Sequence, residues 1–187
     1  MDQSQLYIKI YETKERLSKL TDEYWSLYSG LETWYFWFNI ASVLISFIIL
    51  YLKIDKNRLF EISFFGYTAH ILWSNVDSVL SHNNYLIHPH PISSLTPTGI
   101  TVTAVLFPVT FMLVYQYCTN KEKNFYVYTI IVSLIFGYGF GGLSSFLELL
   151  KMHKGMTLTY LVFIDIAVAF LSLWMTRLFL MFKNRHH

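Results

Sequence analysis

The sequence predicts an all-α membrane protein, a bundle of about five transmembrane helices preceded by an N-terminal amphipathic helix. Three observations lead there. Hydrophobic residues make up 54% of the 187 and charged residues only 14%, against roughly 25% charged in soluble globular chains. Five apolar stretches each approach the ~20 residues that cross ~30 Å of hydrocarbon. The 14 Lys and Arg lie mostly at the ends of those stretches, a membrane pattern rather than a phosphate-binding patch. The formal net charge of +2 is too small to argue for nucleic acid; the partner implied by composition is the lipid bilayer.

The first unit, residues 1–30, is the long hydrophilic stretch of the chain. Leu6, Ile10, Thr13, Leu17, Leu20, Tyr24 and Leu27 recur at alternating spacings of four and three, which puts one apolar stripe on a helix. Lys9, Glu12, Glu15, Arg16, Lys19, Asp22 and Glu23 fall mostly elsewhere. Such a helix lies on a membrane surface or against its own bundle. Pairing of protomers through a short coiled coil is the sharper alternative, for which three heptads barely suffice. No secretory signal peptide is expected, so the first apolar span serves as an uncleaved anchor.

The second unit, residues 31–187, is the transmembrane domain, with spans expected at about 34–52, 59–80, 99–118, 125–149 and 157–182. Trp34, Tyr35 and Trp37 mark one interface, and Tyr115, Tyr117, Tyr126 and Tyr128 mark another. Pro108 lies inside the third span, where it removes a backbone hydrogen bond and should kink the helix. The single cysteine, Cys118, excludes an internal disulfide or a Cys-based zinc site. Lys53, Lys56, Arg58, Lys121, Lys123, Arg177, Lys183 and Arg185 fall on one side of this topology, and Lys151 and Lys154 on the other. The bias places the C-terminus in the cytoplasm and the N-terminus outside.

Four spans carry stripes of small or polar residues at helical spacing. They include Asn39, Ser42 and Ser46 in the first, and Ser63, Gly66, His70, Ser74 and Asp77 in the second. The fourth has Ser133, Gly137, Gly141, Ser145 and Glu148, and the fifth Asp165, Ala169, Ser172 and Thr176. In lipid no hydrophobic drive holds helices together, so small residues and interhelical hydrogen bonds should face one another. The run from Gly137 to Gly142 matches the dinucleotide spacing G-x-G-x-x-G. Its place inside a membrane span excludes that cofactor. Gly137, Gly141 and Ser145 are expected to be a helix-packing face instead.

Ionisable residues inside spans are expensive, so they are informative. His70, Asp77, Glu148 and Asp165 are the candidate lining of a ligand or ion pocket. Asp77 and Glu148 are expected at the outer ends of their spans, and His82, His88, His90 and His153 in outer loops. In His88-Pro-His90-Pro an extended backbone would point both rings one way, which suits a metal, with His82 as a further ligand. Histidines in loops also sit simply in water, and interfacial acids do too. Ser78 and His82 stand one helical turn apart, a weak hydrolase signature that lacks an orienting acid on the same face.

The stretch Phe107-Pro-Val-Thr-Phe-Met-Leu-Val-Tyr-Gln-Tyr117, the run Lys53-Ile-Asp-Lys-Asn-Arg-Leu-Phe-Glu61 and the later Phe-Leu-Glu148 carry a resemblance. Together they resemble a family of small polytopic membrane proteins of unknown function from spore-forming Bacillota. The likeness covers about 34 to 182 and implies topology and host rather than activity. Leu149 stands where family members often have proline, and the long N-terminus and His-Pro-His-Pro loop are less typical.

The expected role is a multi-pass cell-membrane protein, not an enzyme, that assembles with itself or with a membrane protein partner, or binds a ligand at its outer face. A small transporter, channel or solute-binding subunit is the first alternative. Its size and lack of internal repeats suit a capture subunit better than a complete carrier. A membrane-embedded, metal-dependent hydrolase is the second. No cofactor is indicated.

Overall fold

A computed structural model describes residues 1–96 and 98–184 of the chain. Arg185, counted above toward the orientation, lies outside the described residues, as does the Lys183 side chain. The described residues form helices α1 (Gln3–Tyr28), α2 (Trp34–Lys53), α3 (Leu59–His82), α4 (Thr101–Asn120), α5 (Phe125–Phe146) and α6 (Leu158–Asn184). Strands β1 (Leu86–Ile87) and β2 (Lys151–Met152) form one antiparallel pair. Four helical segments are long and apolar enough to cross a membrane: Trp34–Lys53, Thr101–Asn120, Phe125–Phe146 and Leu158–Phe182.

α3 is not among them, although it has 24 residues. The polar residues of its inward face lower its apolarity. Ile62, Phe65, Gly66, Ala69, Trp73 and Asp77 are buried, and α3 packs between α4 and α6. A helix wrapped by neighbours can carry polar groups that a lipid-facing helix cannot. α2 is its opposite, apolar all round with Asn39 as its buried residue.

α1 begins with a capping box, in which Asp2 Oδ1 accepts from the Gln5 amide at 2.8 Å and Gln5 Oε1 accepts from the Asp2 amide at 3.2 Å. None of its residues is buried, and Leu6, Ile10, Leu17, Leu20 and Leu27 all lie exposed. The helix ends as its sequence suggests, at Ser29 and Gly30.

Two helices leave α geometry. Thr101–Leu106 is π-helical, with the Phe107 amide donating to the Val102 carbonyl. Pro108 follows at once. Where the sequence predicts a kink, the structure has a widened turn: proline lacks the amide that an α register would require, and the π turn accommodates its ring. Ile135–Phe140 is the second π segment and contains Gly137 and Gly139.

The expected fourth span ran to 149, but α5 stops at Phe146 in a Schellman motif. The Leu149 amide donates to the Ser144 carbonyl at 2.8 Å and the Glu148 amide to the Ser145 carbonyl at 3.2 Å. Glu148 takes the left-handed position at φ 59.

An aromatic block fills the middle of the bundle. Phe65 stacks on Tyr115 with ring centroids 4.7 Å apart, and Phe107 lies 4.3 Å from Phe111. Phe136 meets both Phe107 and Phe111 edge-on. One end of the bundle is closed by polar clamps. Gln116 accepts from the Asp55 amide and donates to the Lys53 carbonyl, each at 2.8 Å. Arg58 reaches Glu61, Thr119 and Asn120, and Tyr115 donates to Glu61. At the other end, Leu86 pairs with Met152 and Ile87 with Lys151, which ties the α3–α4 connection to the α5–α6 connection.

Candidate functional site

A cavity of about 80 Å³ lies under the strand-paired end. Its walls come from α2 (Phe38, Asn39, Ser42), α3 (Trp73, Asp77), both π segments (Thr101, Thr103, Phe136, Gly137, Phe140) and α6 (Leu161, Asp165). His88, His90 and Gly99 of the connecting loop complete it. That volume has room for several waters or one small ligand. The walls are mainly apolar with a few convergent polar groups, the ordinary constitution of a small-molecule site.

Two acids line the cavity, and they differ. Asp77 is 1% exposed and fully engaged. Its Oδ1 accepts from His88 Nε2 at 2.8 Å, and its Oδ2 accepts from the Gly99 amide at 3.0 Å. It therefore holds the 88–99 loop against the end of α3. Gly99 makes this approach possible, since a Cβ there would stand 2.6 Å from His88 Cε1. Asp165 is 2% exposed, and its Oδ1 accepts from the Trp73 indole at 2.7 Å. No described residue bonds to its Oδ2 and none pairs with its charge.

His90 organises the roof. Its ring stacks on Tyr35 at 3.5 Å and 8°, and its Nδ1 meets the Ser29 hydroxyl at 3.0 Å. Its carbonyl accepts from Asn39 at 3.2 Å. Trp25 at the end of α1 donates to the neighbouring Pro91 carbonyl at 3.0 Å. One loop thereby anchors the end of α1 and the start of α2. Burial lowers the pKa of His90 below the ordinary 6.5, partly opposed by a hydrogen bond with the Tyr28 backbone and by the charge of Glu148.

The expected pocket set is therefore divided. Asp77 and Asp165 meet at the cavity. His70 does not line it; its Nδ1 lies 3.2 Å from the Thr103 carbonyl and 3.1 Å from the Ser74 hydroxyl. Glu148 is exposed past the end of α5, 3.9 Å from Lys151. Of the expected metal ligands, His88 turns to Asp77, His90 to Ser29 and Tyr35, and His82 is exposed. Among the described residues no three His, Cys, Asp or Glu side chains gather as a metal site. Ser78 donates to the Ser74 carbonyl one turn back, an ordinary helical bond that leaves no activated hydroxyl.

The expected packing face meets α6 through its glycines. A Cβ at Gly137 would stand 2.5 Å from Val162 Cγ2, and one at Gly141 would stand 3.2 Å from Leu158 Cδ2. Ser145 is half-buried at the end of the helix. Sequence reasoning missed Trp73, Tyr35 and Gly99. Trp73 had a legible signal: it lies four residues before Asp77 on the same helical face. Tyr35 reads in the sequence only as an interfacial aromatic.

Comparison with known proteins adds no relative: no family model matches the chain, and neither the curated proteins nor the solved structures contain a significant match.

Proposed function

We propose that this chain is a five-pass membrane protein that captures a small ligand in the cavity beneath its strand-paired end. The observation that carries this reading is Asp165, a buried carboxylate in an apolar wall with one oxygen unclaimed by any described residue. An acid at membrane depth is costly unless it is paired, and such residues mark sites. The two π segments in the cavity lining agree with it, since π turns are frequent at functional positions.

Capture is favoured over conduction because Phe136 of the cavity wall packs onto Phe107 and Phe111, the aromatic block that fills the middle of the bundle. Assembly through Gly137 and Gly141 is disfavoured, because both already pack against α6 of their own chain. α3 is the fifth crossing in this reading: it begins beside Thr119 and Asn120 and ends beside β1. The lysine and arginine bias then puts the cavity on the outer side of a cell membrane and the C-terminus in the cytoplasm. α1 lies at the outer surface with its apolar stripe toward lipid. The resemblance to the Bacillota family supports the same topology.

The test is a thermal-shift screen of the protein in detergent micelles against small amines, carboxylates, sugars and neutral alcohols. Ser42→Phe, on the largely exposed α2, serves to fill the cavity. A class that stabilises the wild type and not Ser42→Phe supports the reading. No stabilisation by any class, or stabilisation that survives Ser42→Phe, rejects it.

A further inference from the structure

We infer that the ligand of this cavity is a small organic ammonium ion, a single cationic head on an apolar body; the inference rests on the capture reading above. The charge is decided by what the two acids have left. Asp77 has both oxygens engaged, by His88 and by the Gly99 amide, at 2.8 Å and 3.0 Å. Asp165 keeps Oδ2 without a partner among the described residues, and its one donor is the neutral Trp73 indole. A buried carboxylate with a single neutral donor is electrostatically incomplete, and a cation completes it.

The body of the ligand is decided by the walls. Trp73, Phe136, Phe140 and Leu161 line the cavity with the acid. A bare metal ion requires several oxygen, nitrogen or sulfur ligands, and among the described residues no such cluster forms. An anion would meet an acid with no Lys or Arg in the lining. An alkylammonium satisfies both demands: its head pairs with Asp165, and its carbons displace water from apolar walls. Thr101, buried elsewhere in the lining, carries a hydroxyl that could accept a second ammonium proton.

Three isosteric probes separate the possibilities: isoamylamine, isoamyl alcohol and isovalerate. Calorimetric titration near neutral pH is run on the wild type, Asp165→Asn, Asp77→Asn and Ser42→Phe, all in detergent micelles. The amine should bind the wild type at least about tenfold more tightly than the alcohol, and isovalerate should not bind. Asp165→Asn, which keeps an acceptor for Trp73, should weaken the amine about tenfold and leave the alcohol unchanged. Equal binding of amine and alcohol, lost in Ser42→Phe but indifferent to Asp165→Asn, overturns the ammonium assignment and leaves capture standing. Amine binding lost in Asp77→Asn but kept in Asp165→Asn assigns the charge to the wrong acid and also overturns it. No binding of any probe overturns the ammonium assignment, and capture then rests on the broader screen.

Discussion

Gly99→Ala tests the roof of the cavity with one methyl group. The added Cβ would stand 2.6 Å from His88 Cε1, where ordinary contact begins at 3.4 Å, a shortfall of about 0.8 Å. The backbone at Gly99 is not in the left-handed region, so the effect is steric rather than conformational. To clear the methyl, the ring must leave its 2.8 Å bond to Asp77. A hydrogen bond to a charged group contributes about 1.5–3 kcal/mol, and stranding a carboxylate that is 1% exposed adds to that loss. We expect Gly99→Ala to destabilise the protein by about 3 kcal/mol, read by unfolding in detergent micelles with tryptophan fluorescence as the signal. His88→Ala should cost about as much. The double variant should cost no more than His88→Ala alone, because the methyl then occupies the space the ring has left and the Gly99 amide keeps its bond to Asp77. A neutral Gly99→Ala, or a double variant whose loss is the sum of the two, would refute the reasoning.

Four further outcomes are expected. Gly137→Ala places a Cβ 2.5 Å from Val162 Cγ2, should destabilise by about 1–3 kcal/mol, and should be rescued by Val162→Ala in the same unfolding assay. Glu148→Gly relieves a left-handed residue at a helix end and should stabilise by about 1 kcal/mol, since its exposed contact with Lys151 adds little. The lowered pKa of His90 favours its neutral ring in the fold, so its contribution is complete above the ordinary 6.5 and declines as pH falls below it. Spin labels at Lys19 and Lys154 should report α1 moving away on acidification, and His90→Gln should abolish that response; an unchanged response in His90→Gln sinks the assignment. In a Cys118→Ala background, cysteines at Lys56 and Lys121 should label from one side of the membrane and cysteines at Asn83 and Lys154 from the other. Labelling of Lys56 and Asn83 from the same side would remove α3 as a crossing.

Much of the helical plan was legible because its causes are local. Hydropathy placed α2, α5 and α6 within a few residues. Asp77 and Asp165 were legible as candidates because an acid in an apolar helix has few explanations, and both line the cavity. What was not legible depends on rotation and on partners far along the chain. His70 shares a stripe with Asp77, yet its ring turns toward Thr103 rather than to the cavity. Glu148 reads as the outer end of the fourth span, but it is the left-handed residue of a Schellman motif that hydropathy does not reveal. The sequence reads His88 and His90 as an extended segment with both rings pointing one way, but Pro89 and His90 lie in a bend and the rings' partners are Asp77, Ser29 and Tyr35, from three different parts of the chain. Pro108 announced an irregularity without saying that it would be a widened turn.

That widened turn carries a consequence of its own. A π turn is an α-helix with one residue too many, so deleting a single residue within 101–106 would restore a plain helix and leave both flanks on their original faces. Phe107 and the aromatic block would keep their packing, while the wall that presents Thr101 and Thr103 would close up. The same holds for 135–140, which also lines the cavity. The bundle could thus exist as a solid, siteless scaffold, and the hollow within it is two residues' worth of surplus chain.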